Sequence, residues 1–165
     1  MSLAQDIAIL KQVPMLSDFS DDQLRLLAFS AESMDFSKGQ QLFDQDDRAD
    51  GGLVITTGTV ALKQRTPDGF QDVDQAGPGT LLGESALLIE AKRPCRAEAL
   101  EGVRIIRIRR ALFKRMISEY PDLAQQLFDQ HAYRFRATVS RLKPLGAKMA
   151  ELDLLNESRF DKDEN

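Results

Sequence analysis

The sequence predicts an α+β protein that is mainly β, an antiparallel sandwich or barrel set between helical ends. Two observations carry this. From Met34 to Ile108, short apolar or alternating runs are separated by glycine-bearing turns, which is the texture of antiparallel strands. On either side, apolar residues recur at helical spacing. The chain therefore divides into N-terminal helices (1–33), a β region (34–109), C-terminal helices (110–145) and a tail (146–165).

The elements follow in order. Residues 4–33 read as helical: Ile7, Leu10 and Val13 share a face, Pro14 breaks the run, and Ser20-Asp21-Asp22-Gln23 resembles a capping box ahead of Leu24, Leu27 and Ala28. Strand-like runs then cover Gln41–Phe43, Leu53–Thr56, Thr59–Lys63, Phe70–Val73 and Val103–Ile108. Pro67-Asp68-Gly69 between two of them predicts a hairpin turn. Alternation in Val103–Ile108 turns its arginines toward water, and Arg107, Arg109 and Arg110 read as a solvated basic cluster. Leu112, Phe113, Met116 and Ile117 begin a helical texture, and Pro121 suits the first turn of a long helix reaching about Lys143. Pro144-Leu145-Gly146 ends or kinks that helix, and the polar stretch Asn156–Asn165 predicts a disordered tail.

Composition narrows the function. A net charge of −4 argues against general nucleic-acid binding, which leaves a basic footprint. One cysteine, Cys95, permits no internal disulfide and fits a reducing compartment. No stretch approaches the ~18–20 apolar residues of a membrane span, and the N-terminus lacks the pattern of a signal peptide. The expectation is a soluble, cytoplasmic protein. His131 is the only histidine, and no metal-ligand spacing or Ser-His-Asp arrangement forms around it, so neither a metal nor an enzyme is expected. The acidic run Asp44-Gln45-Asp46-Asp47 lacks the glycine and terminal glutamate of a calcium loop.

One stretch carries chemistry. Leu82-Gly83-Glu84-Ser85-Ala86-Leu87-Leu88 places a glycine and a carboxylate at the start of a short helix, and Arg93 follows ten residues after Gly83. Helix-start amides and an arginine fork suit an anion. An ionised glutamate accepts hydrogen bonds only, so Glu84 suits a sugar hydroxyl. Together they point to a phosphorylated sugar. The plainer reading is a Glu84–Arg93 salt bridge with no ligand.

With the ordered glycines Gly39, Gly58 and Gly77-Pro78-Gly79 upstream, this stretch resembles the phosphate cassette of the cyclic nucleotide-binding domain, usually Phe-Gly-Glu-x-Ala-Leu. That family includes bacterial catabolite activators and regulatory subunits of cyclic-AMP-dependent kinase. The resemblance covers roughly residues 8–143. It implies an antiparallel β-roll or jelly roll, a cupin-like double-stranded β-helix, with N-terminal helices and a long C-terminal helix. It also implies a regulatory module whose ligand is cyclic AMP or cyclic GMP, with no other cofactor, signalling to a protein partner through its C-terminal helix. The alternative is an interaction scaffold with a degenerate site.

Within the resemblance, Leu82, Gly83, Glu84 and Ser85 form the cassette, and Arg93 is the phosphate arginine. Arg96 competes for that role. Counting from Arg93 without gaps puts Ala99-Leu100-Glu101 on a family strand and Pro121 at the start of the long helix, matches that Arg96 breaks. The same count makes Thr138 a candidate base contact, with a helix-face threonine at a partner seam an equal reading. Three positions depart from the family pattern. Pro94 stands where a small residue offers its N–H to the phosphate, and Cys95 and Arg96 replace small or hydroxyl residues. Roughly 20 residues follow Lys143, too few for a helix-turn-helix reader with its own core, so DNA binding is not expected. Phe128, His131, Phe135, Thr138, Leu142 and Leu145 follow an approximate 3-4 spacing that suits a homodimer seam.

Overall fold

The computed structural model describes residues 2–126 and 129. Two helices open the chain, α1 (Leu3–Gln12) and α2 (Asp21–Ser30), joined by a 3-10 turn at Pro14–Leu16. Each helix starts in a reciprocal capping box. Ser2 and Ser20 accept from the Gln5 and Gln23 amides, and those glutamine side chains accept from the serine amides in return. Pro14 sits at the first position of its turn, where its missing N–H costs nothing.

The expected mainly β fold follows. Ten strands run in order: β1 (Glu32–Phe36), β2 (Gln41–Phe43), β3 (Arg48–Ala49), β4 (Gly51–Thr57), β5 (Val60–Thr66), β6 (Gly69–Ala76), β7 (Leu81–Leu82), β8 (Ala91–Lys92), β9 (Arg96–Ala99) and β10 (Val103–Arg109). They form two four-stranded sheets, ordered β1-β10-β4-β7 and β2-β9-β5-β6, and a short β3-β8 ribbon. Every strand pairing is antiparallel. Helix α3 (Arg110–Glu119) leaves β10 directly, and residues 121–126 are helical again.

Strand β4 is buried on both faces, so it reads as a continuous buried run rather than an alternating one. Leu53, Ile55, Val103 and Ile105 meet Val60, Ala97 and Ala99 in the core between the sheets. Val54, Ile106 and Ile108 alternate to the other face, where α1 and α3 contact β4 and α3 contacts β10. Phe19 and Phe113 stack beneath the helices, 6.2 Å between ring centroids.

Several boundaries differ from the sequence reading. The N-terminal helices stop at Ser30: the Ala31 amide closes α2 on the Leu27 carbonyl, and Glu32 and Ser33 already pair with Arg107 and Ile106. Leu100 and Glu101 lie in the turn after β9 and not on a strand. Strands β3, β7 and β8, of two residues each, are too short to show a period. Thr138, His131 and the seam from Phe128 to Leu145 lie outside the described residues.

A close approach sets the spacing of β4 and β10. A Cβ on Gly51 would lie 2.0 Å from the Ile108 carbonyl oxygen, a backbone atom that cannot yield. Gly51→Ala is therefore expected to cost at least about 1–3 kcal/mol, read from the urea unfolding midpoint. An unchanged midpoint would contradict this β4–β10 spacing.

Candidate functional site

Leu82 ends β7, buried and paired with Leu53 of β4. The chain then turns at Gly83, whose φ of +86° is readily adopted by glycine alone. The helix expected here is a single 3-10 turn, Ser85–Leu87, in which Ala86 donates to the Gly83 carbonyl and Leu87 to the Glu84 carbonyl. So short a turn has almost no macrodipole. The burden of attracting an anion falls on side-chain charge.

Arg93 supplies that charge. It lies between β8 and β9 and is 6% exposed. Its backbone is stitched to the acidic loop, with Arg93 N–H donating to the Asp47 carbonyl at 2.8 Å and Asp46 N–H to the Arg93 carbonyl at 2.9 Å. Its guanidinium carbon stands 4.5 Å from the centre of the Phe43 ring. A Cβ on Gly83 would come within 2.2 Å of Arg93 Nη1 and 3.2 Å of the Gly51 carbonyl, so only glycine leaves room for the arginine. Nη1 is enclosed and has no hydrogen-bond partner among the described residues. Burial pushes this guanidinium below its ordinary pKa, Asp50 and Asp47 act against that through space, and Arg107 adds to it.

Arg96, the competing arginine, is engaged elsewhere. On β9, Ala97 and Ala99 face the core while Arg96 and Glu98 alternate away from it. Arg96 grips Asp44 with two bonds, of 2.9 and 3.1 Å, and stands 3.6 Å over the Phe70 ring. Those bonds hold the Asp44 carboxyl below the ordinary carboxylate range.

A cavity of about 240 Å³ lies beside Arg93 between the two sheets. Met34, Phe36, Leu53 and Ile105 supply apolar lining, and Asp47, Arg48, Asp50, Arg93 and Arg107 supply charge. Neither Glu84 nor Ser85 lines it. Glu84 is half-buried and Ser85 exposed, so the structure brings Gly83 to Arg93 without placing Glu84 and Ser85 on that cavity. Pro94 is exposed, and Cys95 is half-buried, its thiol pushed up by burial against the opposing pull of Arg93. Cys95 is thus a packed thiol and not an activated one.

Sequence reasoning missed three contributors. Arg107 and Arg110, read as solvated, are structural. Arg107 bonds Asp50 and lies 3.8 Å from Glu32. Arg110 Nη1 reaches the carbonyls of Ala49, Ala86 and Ile89 at 2.9–3.3 Å, fastening the cassette turn to the start of α3. Phe43 is the third. Nothing in a strand's alternation says which ring will lie under a given arginine. Among the described residues no cluster is placed to hold a metal ion, and no helix is long and apolar enough to cross a membrane.

The fold is an antiparallel β-roll that encloses an arginine beside a glycine-led turn. The cyclic nucleotide-binding domain family model matches residues 33–120. The chain belongs to that family. It is 25% identical over 138 residues to the CRP-like cAMP-activated global transcriptional regulator of Mycobacterium tuberculosis, covering 83% of this chain and 62% of that protein. It is 27% identical over 124 residues to the cAMP-dependent protein kinase type II regulatory subunit of Drosophila melanogaster, covering 74% of this chain and 33% of that one. This chain therefore matches less than two thirds of the length of either relative. A cyclic nucleotide-binding-like protein from Brucella abortus superposes with a TM-score of 0.64 at 38% identity, covering 68% of this chain and 97% of that structure.

The Asp44–Arg96 pair gives a pH signature. Because the folded-state pKa of Asp44 is lowered, the pair stabilises the fold above the ordinary Asp value of ~3.9. That contribution is lost as pH falls through the lowered folded value. Asp44→Asn should therefore lower the urea midpoint at pH 7, and its deficit against wild type should shrink in acid. A deficit constant with pH would assign the effect to packing.

Proposed function

We propose that this chain binds a cyclic purine nucleotide, cyclic AMP ahead of cyclic GMP, and acts as a regulatory sensor. The observation that carries the proposal is Arg93, a nearly buried cation whose Nη1, beside the cassette glycine, has no hydrogen-bond partner among the described residues. A buried charge without full pairing is costly, and a phosphate removes that cost. Family membership supports a cyclic phosphate as the anion, and the names of two relatives specify cyclic AMP.

In this reading Arg93 takes the cyclic phosphate with charge-assisted bonds, Gly83 lets the backbone come close, and Glu84 accepts from the ribose 2′-hydroxyl. Ser85 lies at the cassette's outer side, and Thr138 is the base contact. Arg110 offers a route for the signal, since one guanidinium holds the Ala86 carbonyl of the cassette and the Ile89 carbonyl just after it, and sits on the first residue of α3. A protein partner reading the C-terminal helix, a homodimer through it and a cytoplasmic setting complete the proposal. Pro94, which has no N–H to give the phosphate, favours a second reading, a scaffold that retains the fold with a weakened site.

Calorimetric titration with cyclic AMP and cyclic GMP separates the two readings. Wild type should bind, and Arg93→Ala should weaken binding at least about thirtyfold, since breaking a desolvated charge pair costs about 2–5 kcal/mol. Equal binding by the alanine variant would remove Arg93 from the site. No binding by wild type would leave the scaffold.

The neighbouring positions should respond differently. Pro94→Ser restores a donor to a charged group, about 1.5–3 kcal/mol, and should tighten binding roughly ten- to a hundredfold. Arg96→Ser should leave affinity essentially unchanged, because that side chain is held by Asp44. Weaker binding in Arg96→Ser would show that the arginine leaves Asp44 for the ligand.

A further inference from the structure

We infer that Phe43 is a positioning residue for Arg93: its ring holds the guanidinium by the face and consumes none of its N–H donors. The inference rests on the reading of Arg93 as the phosphate arginine.

A guanidinium has five N–H donors, all in its plane. A carboxylate or a carbonyl can fix a buried arginine only by consuming some of them. An aromatic face attracts the cation from outside that plane and consumes none. The same chain shows the contrast. Arg96 lies over Phe70 but also spends two donors on Asp44, and Arg104 spends two on Asp35. Asp50, the carboxylate with the largest pull on Arg93, is bonded by Arg107 instead. Arg93 has the ring at 4.5 Å and an Nη1 with no partner. The attraction is strongest where water is excluded, and Arg93 is 6% exposed.

The chain places Phe43 for this task. It ends β2, opposite the small Ala97 of β9, and β9 begins three residues after Arg93. The ring also packs against the core between the sheets, so its loss has a packing component that the test must separate.

The test has two arms. In the ligand-free protein, the side-chain protons of Arg93, identified by their loss in Arg93→Ala, should resonate upfield of ordinary arginine values because of the Phe43 ring current. The shift should disappear in Phe43→Leu and persist in Phe43→Tyr. In calorimetry with cyclic AMP, Phe43→Leu should weaken binding about thirtyfold, equivalent to about 2 kcal/mol, while Phe43→Tyr stays near wild type. Placed in the Arg93→Ala background, Phe43→Leu should add little, because the side chain it positions is gone. Ordinary Arg93 shifts in wild type would overturn the inference even if Phe43→Leu fails to fold. So would a Phe43→Leu variant that binds like wild type, or one whose penalty is undiminished without Arg93, which marks a packing role. If wild type binds no cyclic AMP, the ligand reading fails, and the proton shifts alone decide whether Phe43 holds Arg93.

Discussion

Enclosing the Arg93 guanidinium is the constraint on which the rest of the site depends. A cation 6% exposed must be held by something, and each available holder has a consequence. A carboxylate would neutralise it and close the site to anions. Water is largely excluded. The chain instead uses an aromatic face, a glycine that clears space, and a backbone fixed at both sides of Arg93 by the acidic loop. Gly83 thereby serves two ends at once. Its positive φ makes the cassette turn, and its missing Cβ is the volume into which Arg93 Nη1 fits.

Several of the acids around the site are engaged by other cations. Asp50 is engaged by Arg107, which also faces Glu32, and Glu32 in turn accepts from Arg109. Asp44 is engaged by Arg96. These pairs are partly exposed and individually contribute little to stability. One of them matters for allocation: Arg107 engages Asp50, the carboxylate that acts most strongly on Arg93 through space. Arg110 performs the analogous task for the backbone, tying Ala86 of the cassette and the following Ile89 to Ala49 and to α3.

The sequence made the fold legible wherever a local rule operates. The capping box at Ser20 and the Pro67-Asp68-Gly69 turn act within a few residues, and β2 is bounded as its run predicts. It failed where pairing overrides composition. Glu32 and Ser33 are polar, yet β10 offers them a ladder; strands of two residues exist only because a partner strand does. The site divides the same way. The register of the family resemblance singles out Arg93, and the structure sets Gly83 and Arg93 against each other. Spacing cannot say that Arg107 and Arg110 turn to carboxylates and carbonyls rather than to water, because their partners are 21 to 75 residues away in sequence.

Family and ligand affinity are thus determined at different levels. The β-roll is secured by the Leu53, Ile55, Val60 and Ile105 core, which is indifferent to whether an anion is present. In the proposed reading, recognition depends on a few atoms near Arg93, and there this chain departs from the family pattern. Pro94 removes a donor at the position that follows the arginine. Arg96 does not replace it, being held by Asp44 on the outward side of β9. Cys95 does not replace it either, since its thiol is packed and shifted toward the neutral form. What remains to hold a phosphate is concentrated in one guanidinium. A site with a single strong contact is sensitive to how well that contact is placed, and so the ring beneath Arg93 matters more here than it would in a pocket with several donors.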